Sequence, residues 1–159
     1  MEIDFSTVDA LIASNDYAAA EEACRVLTEA HPDCYRVFSK LAHALALGGR
    51  SAEAISAIRT AIALDPIQPA LWWKLGIYCL NEEALSDAIS AFSETIRISE
   101  SYGDPYYRQV AYFLRAEAYA RRSEFGAATA DLQEVQEDMF LWLDRPISKK
   151  AILERCGSL

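Results

Sequence analysis

Residues 72–79 read Trp-Trp-Lys-Leu-Gly-Ile-Tyr-Cys, and they decide the fold together with Ala88 and Phe92 further along the chain. Large and small apolar residues alternate here at helical spacing. A large residue such as Trp72 fits between two antiparallel helices, whereas a small one such as Gly76 fits where they cross closely. The stretch therefore predicts a tightly packed helix pair.

Equivalent residues recur at a fixed separation of 34 positions. A period of this length is typical of stacked helix-pair repeats. The residues at this separation are Ala20, Ala54 and Ala88; Pro32 and Pro66; Phe38 and Trp72; Leu41 and Leu75; Ala42 and Gly76; and Ile58 and Phe92. The two prolines predict where second helices end, because proline lacks an N–H and disfavours helix for the residue before it.

The same residues carry a family resemblance. Stretch 72–79 with Ala88 and Phe92 follows the pattern W-x2-L-G-x2-Y…A-x3-F, with Cys79 where an aromatic residue is usual. The chain resembles tetratricopeptide-repeat proteins over nearly its whole length. The resemblance implies an all-α fold, a right-handed superhelical stack of antiparallel helix pairs closed by a C-terminal capping helix.

We expect one domain over residues 1–159, with at least eight helices and no sheet. The predicted repeats are about 1–34, 35–68, 69–102 and 109–142, followed by a cap over 143–159. Ser148 suits the start of a capping helix and Gly157 its end. Because solenoids need such a cap over the last repeat, we expect a complete, free-standing protein.

The repeats are interrupted before the last unit. Ala128 follows Ala88 by 40 residues, which is one period plus six, and the extra residues fall around 102–108. This stretch contains three tyrosines and a Gly-Asp-Pro turn. Two interpretations stay open, a plain loop with a longer leading helix or a part of a binding surface.

The net charge is −9, the pI is about 4.7, and the acids are spread along the chain. No basic patch is present for nucleic acid, so we expect none as a partner. No apolar run is long enough to span a membrane, and the N-terminus lacks the features of a signal peptide. The four cysteines form no CxxC pair, which favours reduced thiols, no metal and a cytoplasmic location.

The resemblance also implies a binding surface, since the first helix of each repeat lines the concave groove in this family. The groove-facing positions are Phe5, Asp9, Ile12, Arg36, Ser39, His43, Trp73, Ile77, Leu80, Val110, Phe113 and Glu117. Adjacent helical residues point about 100° apart. We therefore expect Trp72 to pack inside its repeat and Trp73 to point into the groove.

The predicted groove is mostly apolar, which suits an extended apolar segment or an amphipathic helix. We expect a non-enzymatic protein-binding module, a chaperone or adaptor, with no catalytic residues, no cofactor and no membrane partner. The chain is similar in size, acidity and build to the small chaperones of bacterial type III secretion. An immunity protein that blocks a toxin surface is the alternative function.

Overall fold

The computed structural model describes residues 3–143 and 145–157. Residues 1 and 2 of the first predicted repeat and residues 144, 158 and 159 of the predicted cap lie outside the described residues. The elements in chain order are α1 (Ser6–Ala13), α2 (Tyr17–Ala30), α3 (Tyr35–Leu47), α4 (Ser51–Leu64), α5 (Pro69–Asn81), α6 (Leu85–Tyr102), α7 (Pro105–Arg121), α8 (Phe125–Gln133), β1 (Phe140–Trp142), β2 (Pro146–Ser148) and α9 (Lys149–Arg155). The predicted all-helical class is confirmed, with one small exception in the two strands.

The chain divides into two compact units, Met1–Leu71 and Trp72–Leu159, which are described in turn. In the first unit, α1 packs on α2, α2 on α3, and α3 on α4. Ala20, Ala42 and Ala54 are fully buried, as expected for small residues at close helix crossings. The expectation of a single domain over residues 1–159 stays a prediction.

In the second unit, α7 packs against α6, α8 and α9. Helix α5 meets α6 where Gly76 faces Phe92: a Cβ placed on Gly76 would lie only 2.4 Å from Cε1 of Phe92. The ring of Phe92 is fully buried. The sequence predicted a small residue at a close crossing here, and the structure shows that the ring of Phe92 requires it.

Replacing Gly76 by alanine is expected to lower the free energy of unfolding by about 1–3 kcal/mol, although alanine favours helix over glycine by about 1 kcal/mol. The added methyl group overlaps a ring that interior packing holds in place. Urea unfolding measures the change. Gly126→Ala in α8 is the matched control, because nothing lies within 4 Å of its added Cβ, and we expect it to be neutral or slightly stabilising. An equally stable Gly76→Ala variant would show that the crossing can relax.

The turns inside the helix pairs share one backbone geometry. Asn15, Gly49 and Glu83 are 34 residues apart, and all three have positive φ, at 61°, 77° and 55°. Ser123 takes the same place between α7 and α8 with φ 61°. After each turn an N–H bonds to a carbonyl five residues earlier, as in Asp16 to Leu11 at 2.9 Å. This is the Schellman ending, which satisfies the last free carbonyls of a helix.

The segment after α8 contains a short hairpin, which corrects the expectation of no sheet. Strand β1 pairs antiparallel with β2, with Leu141 opposite Ile147 and Trp142 opposite Pro146. Ile147 is buried, whereas Phe140 and Trp142 on the alternate positions are exposed. The strands are only three residues long, and burial of Ile147 anchors them to the unit.

Helix α9 confirms the predicted capping helix. It packs against α7, α8 and β2, and its Ile152 is fully buried. The Ser148 hydroxyl accepts a hydrogen bond from the N–H of Ala151 at 3.2 Å, so it is the N-cap that the sequence predicted. Gly157 has φ 69°, the left-handed conformation that glycine adopts beyond a helix end.

All four cysteines are free thiols. Cys24 and Cys79 are buried, and Cys34 and Cys156 are half-buried. Burial raises the pKa of the Cys24 thiol to about 11. Since the thiolate is the reactive form, Cys24 is an unreactive core residue at neutral pH.

Candidate functional site

Three of the predicted groove residues lie together in the first unit. Phe5, Asp9 and Arg36 line an open cavity of about 600 Å³, which Lys40 also lines. The guanidinium carbon of Arg36 lies 5.3 Å from the centre of the Phe5 ring, and Nζ of Lys40 lies 5.6 Å from it. Lys40 also forms an ion pair with Asp9. The cavity thus offers a covered aromatic ring with two cations above it.

The other groove positions of the first unit are less exposed than expected. Ile12 and His43 are half-buried, and Ser39 is buried. Phe5 is itself buried, because Arg36 and Lys40 cover its ring. Sequence reasoning missed Lys40, although its spacing of four residues from Arg36 places both on one helix face.

The second unit presents an aromatic cluster around Trp73. The rings of Trp73 and Tyr107 meet edge to face with centres 5.9 Å apart, and Tyr107 meets Tyr106 at 5.3 Å. Tyr106 is exposed. The Nε1 atom of Trp73 is buried and has no hydrogen-bond partner among the described residues. Tyr106 and Tyr107 belong to the inserted stretch, so part of this stretch is helical and packs on Trp73.

The predicted difference in burial between Trp72 and Trp73 is not seen in the structure. Both are half-buried. Trp73 is partly covered by Tyr107 at the start of α7, and Ile77, one helical turn further along α5, is half-buried too. The cluster of Trp73, Tyr106 and Tyr107 is hereafter called the aromatic cluster.

Four predicted groove positions lie in the interior of the second unit: Leu80, Val110, Phe113 and Glu117. Three of them are on α7, which α6, α8 and α9 cover from different sides. The prediction treated α7 as the open inner helix of a last repeat. The covering elements bury these side chains, so in this conformation a partner cannot touch them.

Glu117 is the centre of a charge cluster and not a surface ligand. Its carboxylate is fully buried and accepts hydrogen bonds from Arg121 (2.9 Å), Arg145 (3.2 Å) and Arg155 (3.2 Å for Nη1). Burial by itself would raise the pKa of Glu117, but the hydrogen bonds and charges of Arg155 and Arg121 outweigh it and hold the pKa below its ordinary value. The carboxylate ties the hairpin and α9 to α7.

Arg121 connects this charge cluster to residues at and just after the end of α5. It donates to the carbonyl of Leu80 at the end of α5, at 3.3 Å, and to the carboxylate of Glu83 in the turn that follows, at 2.8 Å. Only the Glu117–Arg121 spacing of four residues was readable from the sequence, because Arg145 and Arg155 are far away along the chain.

Within residues 3–143 and 145–157, no group of three or more His, Cys, Asp and Glu side chains is placed to hold a metal ion. Among the helices of the same residues, none is long and apolar enough to cross a membrane.

Consecutive antiparallel helices with small residues at their crossings define a helix-pair repeat protein. The family model described as "Tetratricopeptide repeat" matches residues 5–69 and 39–102, which together span more than half of the chain. The chain belongs to the tetratricopeptide-repeat family, a family of protein-interaction modules. No curated protein sequence matches it significantly.

Solved structures share the fold at low sequence identity. A crystal structure of MamA aligns with a TM-score of 0.71 and 20% identity, covering 82% of this chain and 68% of MamA. YrrB, described as a tetratricopeptide-repeat protein with an unusual peptide-binding site, aligns with a TM-score of 0.67 and 17% identity, over 80% of this chain and 62% of YrrB. The P58(IPK) repeat domain aligns at 0.54 and 17%, over 82% of this chain and 48% of that domain. At these identities the likeness concerns the fold alone.

Proposed function

We propose that the chain is a non-enzymatic, cytoplasmic chaperone or adaptor that holds an apolar peptide segment or amphipathic helix of another protein. The observation that carries the proposal is the buried indole N–H of Trp73, which has no acceptor among the described residues. An unsatisfied buried donor is unfavourable by about 1–3 kcal/mol. We expect the rings of the aromatic cluster to part when a peptide binds, so that a peptide carbonyl accepts this hydrogen bond and the rings pack on apolar side chains.

The family supports a protein as the partner, since tetratricopeptide repeats form interaction modules. The description of YrrB names a peptide-binding site in that protein, and we extend the same kind of ligand to this chain. The proposed contact residues are those predicted positions that keep exposed surface, which are Asp9, Ile12, Arg36 and His43 in the first unit and, separately, Trp73 and Ile77 in the second. Phe5 is buried beneath Arg36 and Lys40, so its contribution to binding is through these two cations.

The test begins with a pull-down from the native host, identification of the partner by mass spectrometry, and measurement of its affinity. Trp73→Ala is expected to weaken binding by about tenfold, because it removes both the donor and the central ring. Phe125→Ala, which removes an exposed aromatic ring from α8, is the matched control and should leave the affinity unchanged. Equal affinities of wild type and Trp73→Ala would refute the role of the aromatic cluster.

A salt series separates this function from the alternative, an immunity protein that blocks a toxin. The observation that favours the alternative is the net charge of −9, which would steer the chain towards a basic surface. An apolar segment should bind with weak salt dependence and a large negative heat-capacity change. A steep fall of the association rate with salt, together with an unaffected Trp73→Ala variant, would favour the immunity protein.

A further inference from the structure

The C-terminal end of this acidic chain is locally basic. Residues 145–157 contain four bases and one acid, whereas the rest of the chain contains eleven bases and twenty-three acids. Two of the four bases are neutralised nearby: Lys149 pairs with Glu137 at 2.9 Å, and Lys150 lies 3.9 Å from Glu154. The other two, Arg145 and Arg155, both face Glu117.

The charges around Glu117 do not balance among the described side chains. Three guanidinium groups, those of Arg121, Arg145 and Arg155, surround one buried carboxylate. Arg121 is itself shared with Glu83. The cluster thus holds three positive and two negative groups. A single arginine suffices to neutralise a buried carboxylate, so burial of Glu117 alone does not account for the other two.

Both surplus groups border a cavity. It has a volume of about 290 Å³ and is lined by Glu117, Arg145, Pro146, Ile147, Ala151 and Arg155. The side chains of Arg145 and Arg155 are 54% and 41% exposed, so their remaining N–H groups are accessible. Three of the six lining residues are apolar. We call this space the arginine pocket.

We propose that the arginine pocket is a second contact site, which binds a single carboxylate with apolar neighbours on a protein partner. The two guanidinium groups supply charge-assisted hydrogen bonds, which are stronger than neutral ones. Pro146, Ile147 and Ala151 form the wall for the aliphatic stem of an acidic side chain. A long acidic stretch does not fit, because the net charge of −9 repels it.

This site is independent of the aromatic cluster and stands whether or not the function proposed above is correct. Of its residues, only Glu117 was among the predicted groove positions. Apart from Glu117 on α7, the residues that line the pocket belong to the hairpin and α9, which lie outside the helix pairs of the repeats.

The test is a titration with a peptide of the sequence Gly-Leu-Glu-Leu-Gly, blocked at both ends, followed through the amide shifts of residues 145–155 by NMR. The counterpart with glutamine in place of glutamate should bind at least fivefold more weakly. Arg145→Gln should weaken binding of the glutamate peptide about tenfold. Ala151→Leu should do the same without changing any charge, because Ala151 is exposed at the pocket wall and leucine fills the space.

Two controls make the result specific. Arg97→Gln removes an exposed arginine of α6 that pairs only with Glu94 in the described structure, and it should leave the affinity unchanged. Trp73→Ala should also leave it unchanged, which separates this site from the aromatic cluster. Should Arg145→Gln fail to fold, Ala151→Leu decides the question alone.

Several outcomes would overturn the proposal. These are equal binding of the glutamate and glutamine peptides, full affinity in Arg145→Gln or Ala151→Leu, and absence of binding at millimolar peptide. Binding of inorganic phosphate but not of the peptide would make the pocket a small-anion site. Self-association that disappears in Arg145→Gln, seen by analytical ultracentrifugation, would make a second copy of this chain the occupant instead.

Discussion

Replacing Glu117 by alanine is expected to lower the free energy of unfolding by about 3 kcal/mol, the lower end of the range for a broken buried ion pair. Arg145 and Arg155 can turn towards water, but the guanidinium group of Arg121 is only 13% exposed and would keep just the exposed carboxylate of Glu83 as its partner. The hairpin and α9 would also lose their shared anchor on α7. Urea unfolding followed by circular dichroism measures the loss. Glu83→Ala removes an exposed partner of the same Arg121 and should lower stability by less than about 1 kcal/mol.

The dependence of stability on pH provides a second check on Glu117. Its pKa in the folded protein lies below the ordinary value of 4.5. A carboxylate of this kind contributes stability that is complete above its unfolded pKa and is lost as the pH falls through the folded one. Glu117→Gln should therefore flatten the decline of stability below about pH 4.5. An unchanged slope would mean that other carboxylates govern acid unfolding.

Replacing Phe92 by alanine is expected to lower the free energy of unfolding by about 3–5 kcal/mol, as large-to-small changes in cores do. The ring is fully buried and faces a glycine, so no neighbouring side chain at position 76 can fill the cavity. Thermal and urea unfolding measure the effect. Phe125→Ala in α8, where the ring is exposed, should lower stability by less than about 1 kcal/mol.

A double-mutant cycle tests whether the Phe92 effect arises at this crossing. In the Phe92→Ala background, Gly76→Ala should lose its penalty, because the ring that its methyl group would meet is gone. The two changes should therefore be strongly non-additive. Additive losses would show that Phe92 and Gly76 act on separate parts of the unit.

Much of the helical framework could be predicted because its physical causes are local. Pro32 and Pro66 predict the ends of second helices, and α2 and α4 end at Ala30 and Leu64. The repeat pattern predicted a close helix crossing at Gly76, whereas the ring that it faces, that of Phe92, is known only from the structure. Ser148 could be predicted as an N-cap from its hydroxyl and the helical stretch behind it.

The hairpin could not be predicted in the same way. Strands β1 and β2 have three residues each, too few for alternation to be distinguished from a helical or irregular stretch. What holds them is burial of Ile147 in the unit, which is a tertiary effect. The expectation of no sheet was therefore wrong at a segment whose local sequence has little preference for any secondary structure.

Prediction of the site was limited by long-range packing. Family positions on α7 were assigned to an open groove, but the sequence does not show that α9 covers this helix. The partners of Glu117 come from three separate elements. The contact of Trp73 with Tyr107 likewise depends on how the inserted stretch continues into α7. Apart from the Glu117–Arg121 pair, these residues are close in space without any regular spacing in the sequence.

The left-handed turns between paired helices have a consequence for the evolution of this chain. Three of the four turns place Asn15, Glu83 or Ser123 at positive φ, which is less favourable than for glycine by roughly 1–2 kcal/mol for most residues and by less for asparagine. Only Gly49 already avoids this penalty. A single change such as Ser123→Gly would offset a destabilising substitution elsewhere, so new recognition residues can arise on the surface without loss of the fold.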